Sequence, residues 1–234
     1  MPTTLTPSQL EPLRSITAPT IANAIETFDI QSRSVGFMGP EIRCILPSLG
    51  NMVGYACTAV ISARSPAFKG QGSSARDLWE HVNSISGPRV VVIKDLDYPN
   101  AIGSFWGEVN GNVHKALGCV GTVTDGGVRD LDEVEDLGFH FFASEVLVSH
   151  AYVHLEAVGC PVTVGGVEVR PGDLVHGDKH GVITIPAEIA ARVADASQQM
   201  EDWERPIIEL CKSPDFNMDK LQQLMSRPRP SNSL

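Results

Sequence analysis

The sequence predicts an α/β fold with a central strand–turn–helix–strand unit, a β-meander after it, and helices towards both ends of the chain. Three observations predict it. Arg89 to Ile93 and Cys119 to Val123 are short, continuous apolar runs of the kind that form strands buried on both faces. Each run is followed by a glycine-bearing loop and then by helical spacing, so two parallel strands joined by a helix are expected. From His150 onward a period of two replaces the helical one, and turn pairs such as Gly165-Gly166 appear.

Taken in order, Thr17 to Phe28 is helical, with Pro19 in the first turn and Ile21, Ile25 and Phe28 on one face. Gly36 to Leu49 is rich in turn formers and is expected to wrap the surface. Val53 to Ala63 is β-rich, Ser65 to Ser74 is a polar loop, and Asp77 to Ile85 is a short helix. Asp95 to Gly107 leaves the carboxyl end of the first buried strand and opens a helix carrying Glu108, Val109 and Val113. After the second buried strand, a turn is expected at Asp125-Gly126-Gly127, where paired glycines allow positive φ or a close ligand. Leu131, Val134 and Leu137 then share a helix face, Gly138 stops the helix, and Phe139 to Ala143 resumes as strand. Pro186 opens a long helix that Pro206 is expected to break. The Pro/Ser/Arg-rich remainder reads as loose. No internal repeat or long linker divides the chain.

The totals exclude several functions. A net charge of −10, with no basic run, argues against nucleic-acid binding. Five scattered cysteines lack any C-x-x-C spacing, so neither a zinc ribbon nor a redox pair is indicated, and a reducing cytosol is expected. No signal peptide, no apolar run of ~18 residues and no S-K-L terminus is found, which predicts a cytoplasmic protein. G-x-G-x-x-G after a strand, the phosphate-binding G-x-x-x-x-G-K-[ST] and G-x-S-x-G are all absent, which disfavours nucleotide and serine-hydrolase chemistry. His176, Asp178 and His180 lie close in sequence, and His150 and His154 are four apart, yet turn and strand-face roles outweigh a zinc site. Lys94 ends a buried strand and is expected to point to the surface rather than serve as a Schiff base.

Two loops remain. If their strands are parallel, both leave one sheet edge, where ligands bind in open α/β folds. The helix start at Gly107 offers unpaired amides of Glu108, Val109 and Asn110, suited to a carboxylate. The other loop offers Arg129, able to fork a carboxylate, and Asp130, able to bind a hard divalent cation. Such a cation would chelate a 2-oxo acid and stabilise the enolate formed when a C–C bond breaks, with Glu108 or a bound water as acid or base. The alternative is plain: Asp130 followed by Glu133 is D-x-x-E, a capping box, and Arg129 could pair with Asp125 or Asp132.

The stretch WGEVNGNVHKALGCVGTVTDGGVRD resembles the signature region of the RraA-like family, over about Thr17 to Leu210. The family includes class II 4-hydroxy-4-methyl-2-oxoglutarate aldolases that also decarboxylate oxaloacetate. The resemblance implies a swivelling β/β/α domain over 17–211, with a lead at 1–16 and an extension at 212–234. It implies a lyase using Mg²⁺ or Mn²⁺, in which Arg129 binds the pyruvyl unit, Asp130 the metal, and Gly107 to Asn110 the carboxylate. It further implies homotrimers or homohexamers with sites between subunits, where Glu204 or Glu201 of a neighbour completes the metal shell. Proven aldolases carry a glycine- and lysine-bearing loop after the strand at 139–143. Here Ser144 to Glu156 has no lysine, which leaves His150 to read the substrate's distal end. Two other readings stay open: a non-enzymatic regulator binding a ribonuclease, and a tautomerase or hydratase of a sugar-derived oxo acid.

Overall fold

The computed structural model describes residues 4–232. Strands β1 (Arg43–Cys44), β2 (Met52–Ser62), β3 (Arg89–Asp95), β4 (Ser104–Trp106), β5 (Cys119–Val128) and β6 (His140–Val146) build the α/β half. Strands β7 (His154–Val158), β8 (Val162–Val164), β9 (Val167–Val169), β10 (Leu174–Asp178) and β11 (Gly181–Ile185) follow. The sheet runs β1-β6-β5-β3-β2-β10-β11, with β4 alongside β5 and β7 alongside β2, and β8 and β9 form a separate hairpin. As the sequence predicts, β3 and β5 are parallel neighbours, with Val92 opposite Val123.

The helices are α1 (Pro7–Leu10), α2 (Ala18–Glu26), α3 (Ala75–Ser84), α4 (Glu108–Ala116), α5 (Leu131–Leu137), α6 (Val193–Lys212) and α7 (Met218–Met225). Val91, Ile93, Trp106, Phe139 and Phe141 pack with residues of α3 and α5 on one face of the sheet. The β8–β9 hairpin covers the other through Val162, Val164 and Val169, packed against Val90, Val92 and Val123. Strand β3 is therefore apolar on both sides, which explains its unbroken β-branched run. A third cluster joins α2 and α6 to β10 and β11. Leu5, Leu10 and Leu13 of the N-terminal lead are buried in it.

Several expectations are corrected. Asp125-Gly126-Gly127 is not a turn: β5 continues to Val128, and the pairing with β6 slips between Thr124 and Gly127, which is a β-bulge. Neither glycine has positive φ. They are small because of what lies over them: a Cβ on Gly126 would sit 2.7 Å from Asp95 Oδ2, and one on Gly127 would collide with Leu147 Cδ1. Residues 36–49 do not merely wrap the surface, because β1 pairs with β6 and Met38, Ile42 and Leu46 are buried. His150 and Tyr152 lie in a loop, and the strand begins only at His154. The last long helix begins at Val193 rather than Pro186, and it runs through Pro206 to Lys212. The tail supports that turn: Arg227 Nη2 donates to Trp203 O, and the Arg227 and Arg229 guanidinium carbons lie 5.7 and 5.6 Å from the Trp203 ring centroid. Residue 232 is tied down as well, since the Asn232 N–H donates to Thr27 O at 2.8 Å, and residues 233–234 lie outside the described residues. Composition is blind to such partners, which come from 205 positions away.

Candidate active site

Two chain segments meet at the carboxyl ends of β4 and β5. Gly107 caps α4 in an extended conformation, φ −165°. Asp130 caps α5 with φ 55° and ψ 52°, a left-handed backbone rare outside glycine. Its side chain makes no cap hydrogen bond to α5, so the capping-box reading fails. It turns back instead, and the Glu108 N–H donates to Asp130 Oδ2 at 2.9 Å. Arg129 N–H donates to Trp106 O at 3.1 Å, which ties the two segments together through the backbone. Arg129 Nε lies 3.9 Å from Asp130 Oδ2, and both side chains remain about one-third exposed. Arg129 is thus paired with its neighbour, not with Asp125 or Asp132.

Gly107 is what permits this approach. A Cβ there would stand 2.5 Å from Asp130 Oδ2 and 3.2 Å from Arg129 Cγ and Nε. Of the three amides expected to face a ligand, that of Glu108 is taken by Asp130. The backbone N–H groups of Val109 and Asn110 lie in the first turn of α4, where a helix offers no internal acceptor. The Asn110 side chain is turned inward and donates to Phe105 O at 2.6 Å. Glu108 is exposed beside them.

Other expected residues are placed differently. His150 is exposed on the loop after β6, and its Nδ1 lies 2.8 Å from Ala151 O. That loop runs along β4, since Ser104 N–H donates to Ser149 O and Gly103 abuts His150 O. Glu201 and Glu204 lie on α6, whose first turns pack with α2 over β10 and β11, at the other end of the strand order from β5. Neither is a partner of Asp130 within this chain. His176, Asp178 and His180 form a structural group: His176 Nε2 lies 3.0 Å from Ile16 O, and Asp178 Oδ2 accepts from Ala18 N–H and lies 3.0 Å from His180 Nδ1. Burial holds His176 below its usual pKa, in keeping with a neutral ring.

Among the described residues no three His, Cys, Asp or Glu side chains gather closely enough to enclose a metal ion. Asp130 still fits a hard cation as part of an open shell. Its Oδ1 accepts no hydrogen bond among the described residues, and Mg²⁺ is commonly held by one or two carboxylates plus water.

A buried charge group lies under the site and escaped the sequence reading. Asp95 and Asp125 are buried at the ends of β3 and in the bulge of β5. Asp125 Oδ1 accepts the Asp95 N–H at 2.8 Å, and its Oδ2 lies 2.5 Å from Lys94 Nζ. Lys94 therefore points inward, contrary to expectation. Burial pushes the Asp95 carboxyl up to about 6, and its Oδ2 has no hydrogen-bond partner. A charged pair ending a β-branched run was the available signal.

The RraA-like family model, described as aldolase/RraA, matches residues 19–184. Over 73 residues the chain is 37% identical to a Halalkalibacterium halodurans protein named "Putative 4-hydroxy-4-methyl-2-oxoglutarate aldolase", covering 31% of this chain and 35% of that protein. The curated relatives are matched over 56% of their length or less. An uncharacterized Pseudomonas syringae pv. tomato str. DC3000 protein has the same fold, with TM-score 0.74 and 24% identity over 96% of both chains. Streptomyces coelicolor RraAS2, described as an unusual member of the RNase ES inhibitor RraA family, has TM-score 0.69 and 21% identity over 86% of this chain and 97% of its own. No helix among the described residues is long and apolar enough to cross a membrane. With a family model spanning most of its length and this nearly closed sheet with flanking helices, the chain belongs to the RraA-like family.

Proposed function

We propose that this protein is a divalent-cation-dependent lyase that cleaves or decarboxylates a 2-oxo acid, releasing pyruvate or a close analogue. The observation that carries the reading is the hydrogen bond between Glu108 N–H and Asp130 Oδ2 with Arg129 alongside. It gathers a helix N-terminus, a guanidinium and an open carboxylate at one point, and a protein that only binds another macromolecule has no need of that set. The family relationship and the named aldolase relative support the same class.

In this reading Arg129 forks the substrate carboxylate, and the free amides of Val109 and Asn110 share its charge. Asp130 holds Mg²⁺ or Mn²⁺, and a glutamate of a neighbouring copy, Glu204 or Glu201, adds to the shell in a homotrimer or homohexamer. When bound, the cation supplies Lewis acidity toward the keto oxygen. Glu108 is exposed beside these groups and moves the proton: in a retro-aldol cleavage it takes one from the distal hydroxyl as the C–C bond breaks and gives it to the pyruvyl carbon, and in a decarboxylation it passes one from water to that carbon after loss of carbon dioxide. His150 faces the distal end.

The test is oxaloacetate consumption with and without Mg²⁺, coupled to pyruvate detection. Arg129→Ala and Asp130→Ala should each lower kcat/KM by about 10²-fold or more, as should EDTA. Full turnover in either variant defeats the assignment. Specific capture of an endoribonuclease, with no turnover of any 2-oxo acid, would favour the regulatory alternative.

A further inference from the structure

Arg129 and Asp130 emerge from β5 directly after its bulge, so whatever fixes the bulge aims them. Four residues hold it by polar contacts: Ser144, Ser104, Lys94 and Asp95, whose N–H donates to Asp125 Oδ1 at 2.8 Å. Ser144 Oγ of β6 donates to the carbonyl oxygens of Asp125 and Gly126 at 2.6 and 3.0 Å. Ser104 Oγ of β4 lies 2.8 Å from Gly127 O. On the β3 side there is also an ion pair, between Lys94 Nζ and Asp125 Oδ2. The serines hold carbonyls, as many neutral donors could. Lys94 does something they cannot, because two carboxylates are buried together here, Asp95 at the end of β3 and Asp125 in the bulge.

We propose that Lys94 is a positioning residue for the site: through Asp125, its ammonium group pins the β5 bulge in the register that presents Arg129 and Asp130 to the α4 N-terminus. The groups facing this cluster define the charge balance. Asp95 is faced by Asp97, Asp125 and Lys94. Asp97 accepts the Ala63 and Arg64 N–H groups and pairs with Arg64 Nε at 3.1 Å, so its charge is already answered. Asp95 Oδ1 accepts the Asp97 N–H at 2.8 Å, and its Oδ2 faces Gly126 unpartnered. Lys94 is the cation left for Asp95 and Asp125 together, and it also lies 4.9 Å from the Tyr98 ring centroid. Asp125 is buried while Lys94 is 27% exposed, so removing Lys94 leaves a buried carboxylate without its cation. The cheapest relief is for Asp125 to swing toward water, which unlocks the bulge.

The effect on turnover rests on the function proposed above; the effect on the bulge does not. The experiment is amide hydrogen exchange over residues 124–130 in the full chain, at pH 5 and pH 8, for wild type, Lys94→Met, Asp125→Asn and the double variant. In Lys94→Met, protection should fall about tenfold or more at pH 8 and distinctly less at pH 5, where the Asp95 carboxyl takes up a proton. The double variant has no Asp125 charge left to expel and should regain protection to within about threefold of Asp125→Asn. The oxaloacetate kcat/KM should follow the same pH pattern. Unchanged exchange at 124–130 in Lys94→Met overturns the proposal. So does a loss spread evenly over the chain and independent of pH. Should Lys94→Met fail to fold, the comparison of the double variant with Asp125→Asn decides: a tenfold gap between them also overturns it. If wild type turns over no 2-oxo acid while the exchange pattern holds, the lyase reading fails and the bulge assignment stands.

Discussion

Gly107→Ala isolates the approach of Asp130 to α4. The backbone at Gly107 is extended, so alanine brings no conformational strain, only a methyl group 2.5 Å from Asp130 Oδ2. Ordinary contact for such a pair begins near 3.4 Å. The carboxylate must retreat by roughly 0.9 Å, taking its hydrogen bond with the Glu108 N–H from 2.9 Å to well outside the normal range. Arg129, only 3.2 Å from the same point, limits the escape routes. A hydrogen bond to a charged group is worth about 1.5–3 kcal/mol, which predicts a roughly 10- to 150-fold loss in kcat/KM if the transition state feels all of it. Fold stability should fall as well, by about 1 kcal/mol for alanine in place of glycine at a helix cap and by up to about 1.5–3 kcal/mol more for the lost bond. Oxaloacetate turnover, Mn²⁺ affinity and thermal unfolding measure the three effects separately. Gly111→Ala is the control on the same helix, because its Cβ would meet Leu137 and Val134 at 3.3 and 3.6 Å, near ordinary contact. If Gly107→Ala keeps both full Mn²⁺ affinity and full turnover, the closeness of Asp130 to α4 has no functional consequence.

Other expectations concern stability. Burial raises the Asp95 carboxyl to about 6 from its ordinary 3.8, so the folded chain binds a proton more tightly than the unfolded one. Stability therefore falls as pH rises from about 4 through 6, by up to about 3 kcal/mol. Asp95→Asn should be more resistant to urea than wild type at pH 8 and nearly equal at pH 4; equal midpoints at pH 8 would show that the carboxylate is not strained. His140 has the opposite sign. Burial, aided by Arg14 and Lys115, lowers it to about 4. Stability is lost as pH drops from about 6.5 through 4, and His140→Phe should move the acid unfolding midpoint, followed by fluorescence, to lower pH. Finally, Arg227→Ala/Arg229→Ala should free the Trp203 ring, red-shift tryptophan emission and cost about 1–2 kcal/mol in denaturant unfolding. An unchanged spectrum would mean that the tail does not cover the ring.

The sequence by itself determined the parallel β3–β5 pair, the crossover helix and the two loops that meet, because these follow from local patterns. A β-branched run is buried on both faces, a glycine starts a helix, and a short crossover keeps its strands parallel. Arg129, Asp130 and the Gly107 cap were legible for that reason. What Gly126 and Gly127 are for was not. Their pattern suits a tight turn equally well, and only the packing of Asp95 and Leu147 against them shows that close contact, rather than positive φ, excludes a side chain. Positive φ falls instead on Asp130, a residue no propensity would choose. Lys94 looked like a surface lysine because a charge at a strand end usually meets water, and its partner lies 31 positions ahead. The same holds for the tail, whose arginines find Trp203 only once α7 has turned the chain back. Periodicity records which side of an element faces the core. It carries no record of which distant carboxylate, ring or amide waits there, and that was settled by tertiary contact.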